Sequence, residues 1–183
     1  AIDCDVTEAS SIEQAFADVR EHLGEVNVLV YNAGGAARWA TVDDLSPADF
    51  DASWRVNALG ALLATQQVIQ AMKKRRAGSI VFIGATASRR GGARTAAFAP
   101  AKAAQRSLAE SMAKHLWPAG IHVALIIIDG VVDLPATRKV MADKDSDFFV
   151  KPAAVAEIAY QLAIQDPSAW SFEVEARPFG EVW

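Results

Sequence analysis

The residues able to take part in chemistry sit in short groups between long apolar or helical stretches. Asn32-Ala33-Gly34-Gly35 follows the apolar run Val26 to Tyr31, and Asp129-Gly130 follows the run Ile121 to Ile128. Glycine permits a turn whose backbone approaches a ligand, and asparagine can brace such a turn through its side chain. Asn57 and Lys102 lie between these turns, in stretches with helical spacing. A mid-helix asparagine ordinarily faces solvent or bonds nearby backbone, and a helix lysine is ordinarily surface charge. These residues therefore carry meaning together rather than singly. His22, His115 and His122 are scattered without ligand-type spacing, which argues against a metal site.

The elements that must position these groups alternate along the chain. A helix is expected from the capping box Ser10/Glu13, with Ile12, Phe16, Val19 and Leu23 at helical spacing and Gly24 to end it. Val26 to Tyr31 reads as a strand buried on both faces. A second helix opens at Ser46-Pro47-Ala48-Asp49 and runs to Lys73-Lys74-Arg75-Arg76 before Gly78. Ser79 to Gly84 is a buried strand, a helix runs from about Thr95 to Trp117 with Pro100 early in it, and Ile121 to Ile128 is a third strand. Asp129 to Ser146 lacks periodicity and reads as a loop or lid. A helix after Pro152 and a strand over Ser171 to Ala176 complete the pattern. Such alternation specifies an α/β domain, an open parallel sheet with helices on both faces. Ligands bind such sheets beyond the carboxyl ends of the strands, where Asn32, Ala85 and Asp129 follow their runs.

Composition narrows the class further. The chain has 183 residues, 52% of them hydrophobic and 22% charged, enough for one large core and too apolar for disorder. The net charge of −4 argues against a nucleic-acid partner. The basic run Lys73 to Arg76 is better placed to complement a helix dipole. A single cysteine, Cys4, points to a reducing, cytoplasmic setting. Ile121 to Ile128 is strand length, whereas a membrane span needs about 20 apolar residues.

Together these residues resemble the short-chain dehydrogenase/reductase family. The resemblance rests on Asp5-Val6-Thr7, Asn32-Ala33-Gly34, Val56-Asn57, the strand Ser79 to Gly84 and Ala101-Lys102-Ala103-Ala104, from Asp3 to about Ala163. It implies a Rossmann-like fold and NAD- or NADP-dependent hydride transfer to or from a small-molecule carbonyl or alcohol. By the same resemblance, Asp5, Val6, Asn32, Ala33 and Gly34 would surround the adenosine. Asn57 would support a proton relay and Lys102 would bind the nicotinamide ribose. Gly130 and Val132 would contact the carboxamide, with Leu134 where the family often has threonine. The two long helices resemble the family's subunit interface, so a homo-oligomer is expected.

The sequence departs from the family's pattern at the reacting centre. Phe98 stands where the family has tyrosine, four residues before Lys102, and Ala85 stands where it has serine. Losing a general acid typically costs about 10²–10⁴ in rate, and losing one oxyanion donor about 10²–10³. Thr86 and Ser88, with Thr95, are the nearby hydroxyls that could substitute. The alternative is a non-catalytic member that binds a nucleotide or acts as a scaffold. The family's glycine-rich turn and first strands are also unmatched. Ala1 to Asp5 reads as the tail of a strand already under way, so the expectation is a longer protein with roughly 50 or more preceding residues, the size of a βαβ unit and one more strand. Without them Val26 to Tyr31 becomes an edge strand. Trp170, Phe179 and Trp183 read as core or subunit contacts.

Overall fold

The computed structural model describes residues 1–36 and 38–181; Trp183 lies outside the described residues. Four parallel strands form the main sheet: β1 (Val28–Tyr31), β2 (Gly78–Ala85), β3 (Ile121–Ile128) and β6 (Glu173–Ala176), in the order β1-β2-β3-β6. A short pair, β4 (Val131–Val132) and β5 (Phe149–Val150), lies beyond β3. The helices are α1 (Ala9–Leu23), α2 (Pro47–Trp54), α3 (Gly60–Arg75), α4 (Phe98–Leu116), α5 (Pro135–Val140) and α6 (Pro152–Ala163).

Alternation along β2 and β3 creates two cores. Ile80, Phe82, Val123 and Leu125 face α3 and α4, packing with Tyr31, Met72, Ala109 and Leu116. Val81, Ile83, Ala124 and Ile126 face the other way, against Val155, Ala159 and Leu162 of α6. Helices thus cover both faces, and the continuous apolar runs of β2 and β3 are explained by burial on both sides.

Several elements differ from the sequence expectations. Strand β1 is not buried on both faces: Val28 and Val30 are each 44% exposed, because α6 spans β2 and β3 and leaves that side of β1 bare. No capping box forms at α1. Its N-cap is Glu8, and Ser11 Oγ accepts from the backbone N–H of Asp5 instead. Ala1 to Asp5 join no strand. The expected loop after Asp129 contains β4 and α5.

The second helix is continuous from Pro47 to Arg75 but widens into a π turn over Arg55–Leu59. Its start is capped as expected, with Ser46 Oγ accepting from the Asp49 N–H at 3.0 Å. Its end explains the basic run. Arg75 donates to the carbonyls of Val26 and Ala77, Arg76 turns the backbone left-handed at φ 53°, and Lys73 pairs with His115. Among the described residues no helix is long and apolar enough to cross a membrane.

Candidate active site

The carboxyl ends of β1, β2 and β3 open onto one cleft of about 600 Å³. Its floor is Ile83, Gly84 and Ala85 from β2 and Ile128 from β3. Asn32, Gly34 and Gly35 form one wall, and Gly130, Val132 and Leu134 the opposite one. Pro152, Val155, Ala156 and Ala159 of α6 close one side, and Phe98 and Lys102 of α4 the other. Among the described residues that line it, Lys102 is the one titratable side chain.

Lys102 reaches the cleft from α4 because helical spacing puts it one turn after Phe98. The residue is only 4% exposed. Its Nζ donates to the Ile83 carbonyl at 2.8 Å and to Gln105 Oε1 at 3.1 Å, and stands 5.9 Å from the Phe98 ring centre. An ammonium has three protons, so one remains for the cleft. Burial penalises the charged form and pulls this lysine down to about 8.

Asn57 sits in the π turn, a wide turn that often marks functional positions in helices. Its side-chain Nδ2 donates to the carbonyls of Gly35 and Ser53, each at 2.7 Å, and its Oδ1 accepts from the Gly35 N–H at 3.3 Å. The turn after β1 is therefore braced from the helix by Asn57, not by the exposed Asn32. The turn passes close to the Lys102 and Asn57 side chains at Gly34. A Cβ there would stand 2.9 Å from Lys102 Nζ and 3.0 Å from Asn57 Oδ1.

The structure brings Asn32, Gly34, Lys102, Gly130 and Val132 to one cleft, with Asn57 directly behind its wall. Ala33 packs into the core instead. Asp5 and Val6 do not line the cleft. The Asp5 carboxylate accepts from the Thr7 N–H and hydroxyl, which hold it below the usual carboxylate range, while Val6 packs beside Tyr31.

The substitute hydroxyls also stand apart from Lys102. Thr86 lines an adjoining compartment of about 350 Å³ with Trp39, Arg90 and Thr95, and its hydroxyl donates to Asp129. Ser88 is buried, its Oγ accepting from the Ala85 N–H at 3.1 Å. Phe98 and Ala85 line both compartments, so the side chains that lack hydroxyls lie where the two meet.

Gln105 had no place in the motif reading. It is fully buried, and its Nε2 donates to the Asn57 backbone carbonyl at 3.0 Å while its Oε1 accepts from Lys102. A polar residue on the same face as Ala101 and Ala109 was the available signal. The α6 wall gave none, since its apolar spacing reads equally as core.

Comparison with known proteins identifies the family. The family model for short chain dehydrogenase matches residues 1–145. The 3-oxoacyl-[acyl-carrier-protein] reductase MabA of Mycobacterium avium is 34% identical over 137 residues, covering 75% of this chain and 53% of that protein. The chain thus spans about half the length of the curated relatives it matches. The crystal structure of a short-chain dehydrogenase from Rhodopseudomonas palustris superposes with a TM-score of 0.78 at 32% identity, over 96% of this chain and 72% of that one. A metagenomic short-chain oxidoreductase in complex with NADP gives a TM-score of 0.81 at 25% identity, over 97% and 73%. With its parallel sheet, its cleft and this match over most of its length, the chain belongs to the short chain dehydrogenase family.

Proposed function

We propose that the cleft binds the nicotinamide–ribose end of NAD or NADP, and that the protein transfers hydride to or from a small-molecule carbonyl or alcohol. The observation that carries this reading is Lys102, a buried cation with one uncommitted N–H at a cleft whose other lining side chains, Asn32 apart, are apolar. A sugar hydroxyl satisfies that donor, and the apolar floor suits a flat ring. The fit concerns this end of the cofactor. Among the described residues, neither Gly34-Gly35 nor Gly91-Gly92 opens directly into a helix, so the pyrophosphate has no glycine-rich cradle here. When bound, the cofactor supplies or accepts the hydride. Lys102 holds it, Asn57 keeps the adjoining turn in shape, and the apolar walls exclude water.

A 3-oxoacyl thioester is the first substrate class to test, since relatives carry the name 3-oxoacyl-[acyl-carrier-protein] reductase. Oxidation of NADH or NADPH with an acetoacetyl thioester is the assay, and no turnover by cofactor-bound protein would remove that class. Phe98 and Ala85 favour a second reading, a non-catalytic member that binds a nucleotide. Neither side chain can donate a proton in the cleft. We extend the reading to a homo-oligomer through the long helices, supported by Phe50 and Trp54, each 41% exposed and one turn apart on α2. A monomeric mass in solution would remove that extension.

A further inference from the structure

The buried side of Lys102 is closed by an amide. Orientation of Gln105 follows from its partners: the Asn57 carbonyl needs a donor and the Lys102 ammonium needs an acceptor, so the amide can face only one way. Asn57, Gln105 and Ser53 are fully buried, and Ile83 offers Lys102 its backbone carbonyl. A neutral amine uses its two N–H groups on Ile83 and Gln105 and turns its lone pair to the cleft. The ammonium turns its third proton the same way. Both charge states of Lys102 thus fit the same surroundings.

We propose that Gln105 is a positioning residue for proton exchange at Lys102: its amide seals the inward side of the nitrogen, so that Lys102 gives and takes its proton through the cleft. This rests on the hydride-transfer reading for its use. When bound, the cofactor would supply or accept the hydride, and Lys102 would return or take up the matching proton on its cleft side. Phe98 and Ala85 leave this route unobstructed by any other hydroxyl in the cleft.

The groups facing Lys102 from each neighbouring element are the Ile83 carbonyl from β2, Gln105 and the Phe98 ring from α4, and Asn57 with Gly34 across the turn. None is a carboxylate; burial lowers its proton affinity, and the Ile83 and Gln105 oxygens that accept from the nitrogen favour the ammonium against it. Substituting Gln105 should therefore move that affinity in a direction set by the substituent.

The test is a pH titration of the Lys102 side chain by lysine-selective ¹³C NMR on the ligand-free chain, with the resonance identified by its loss in Lys102→Met. Gln105→Glu places an anion at the nitrogen and should move the midpoint up by about 1–3 pH units. Gln105→Met removes the acceptor and should move it down. Thermal unfolding establishes that each variant is folded. If Gln105→Met does not fold, Gln105→Leu, which also lacks the acceptor, carries the test. A residue that only fills space would leave the midpoint unmoved in these apolar variants, and an unmoved midpoint in a folded one overturns the proposal. Because the titration needs no ligand, its outcome is separate from that of cofactor binding. Absence of binding would overturn the hydride-transfer reading while the midpoints still decide the role of Gln105.

Discussion

The buried lysine should leave its mark on how stability depends on pH. An ordinary lysine holds its proton to about 10.5, whereas burial pulls Lys102 down to about 8. Below that lower value both folded and unfolded chains are protonated there, and the folded state bears the cost of an ammonium out of water. Between the two values the folded chain has released a proton that the unfolded chain still holds, so stability rises with pH. At about 1.4 kcal/mol for each pH unit, the full gain is about 3 kcal/mol. The perturbation is Lys102→Met, which removes the titration while keeping an apolar chain of similar length. It also leaves the Ile83 carbonyl without its lysine donor, so the comparison rests on the slope with pH rather than on stability at one pH. Urea unfolding of both proteins from pH 7 to pH 10 is the assay. With a denaturant slope of about 1–3 kcal/mol per molar, the wild-type midpoint should climb by roughly 1–2 M relative to the variant. Tyr31 works in the opposite direction above about pH 10. Burial raises its phenol far above the usual value, so its stabilisation fades as the unfolded chain ionises. That contribution is common to both proteins and cancels. Parallel curves for wild type and variant would refute the claim that Lys102 is buried as a proton-exchanging group.

Other consequences follow from contacts on either side of the cleft. Gly34→Ala pushes a methyl group to within 2.9 Å of Lys102 Nζ, and should cost about 1–3 kcal/mol in unfolding free energy with weaker nicotinamide binding. Gly60→Ala meets the Val6 carbonyl at 2.5 Å and also runs into the Tyr31 hydroxyl. The fixed backbone should make it destabilising by a similar amount in thermal melts, despite the better helix propensity of alanine. His122→Phe keeps a ring stacked on Trp170 but removes the ring N–H that faces the Leu162 or Ser171 carbonyl, for a loss of about 1–3 kcal/mol in urea unfolding. Phe98→Tyr with Ala85→Ser should confer or raise carbonyl reduction where the phenol lies one turn from Lys102. No change in a protein that already turns over would place the proton step elsewhere.

Strand and helix types were legible because β2 and β3 are apolar throughout and the helices keep their spacing. The exposure of Val28 and Val30 was not, since a strand read as buried needs a cover on each side and α6 reaches only its neighbours. Lys102, Asn57 and the Gly34 turn could be found from motif order. Their hydrogen bonds could not, because Asn57 bracing Gly35 depends on a π turn that no local propensity marks. Thr86 and Ser88 show the same limit. Both follow β2 in sequence, yet one hydroxyl serves Asp129 and the other serves the backbone of Ala85. The Gln105 bridge depends on a carbonyl 48 positions away.

The central claim is that the cleft holds the nicotinamide–ribose end through Lys102. The most direct measurement is a fluorescence titration of the folded chain with reduced nicotinamide mononucleotide, alongside NADH and NADPH, for wild type and Lys102→Met. The mononucleotide carries the ribose and ring without needing a pyrophosphate cradle. The account predicts saturable binding of the mononucleotide, weakened at least about tenfold in Lys102→Met, as expected for a lost charged hydrogen bond. Absence of binding by folded wild-type protein, or equal affinity in the variant, would contradict it.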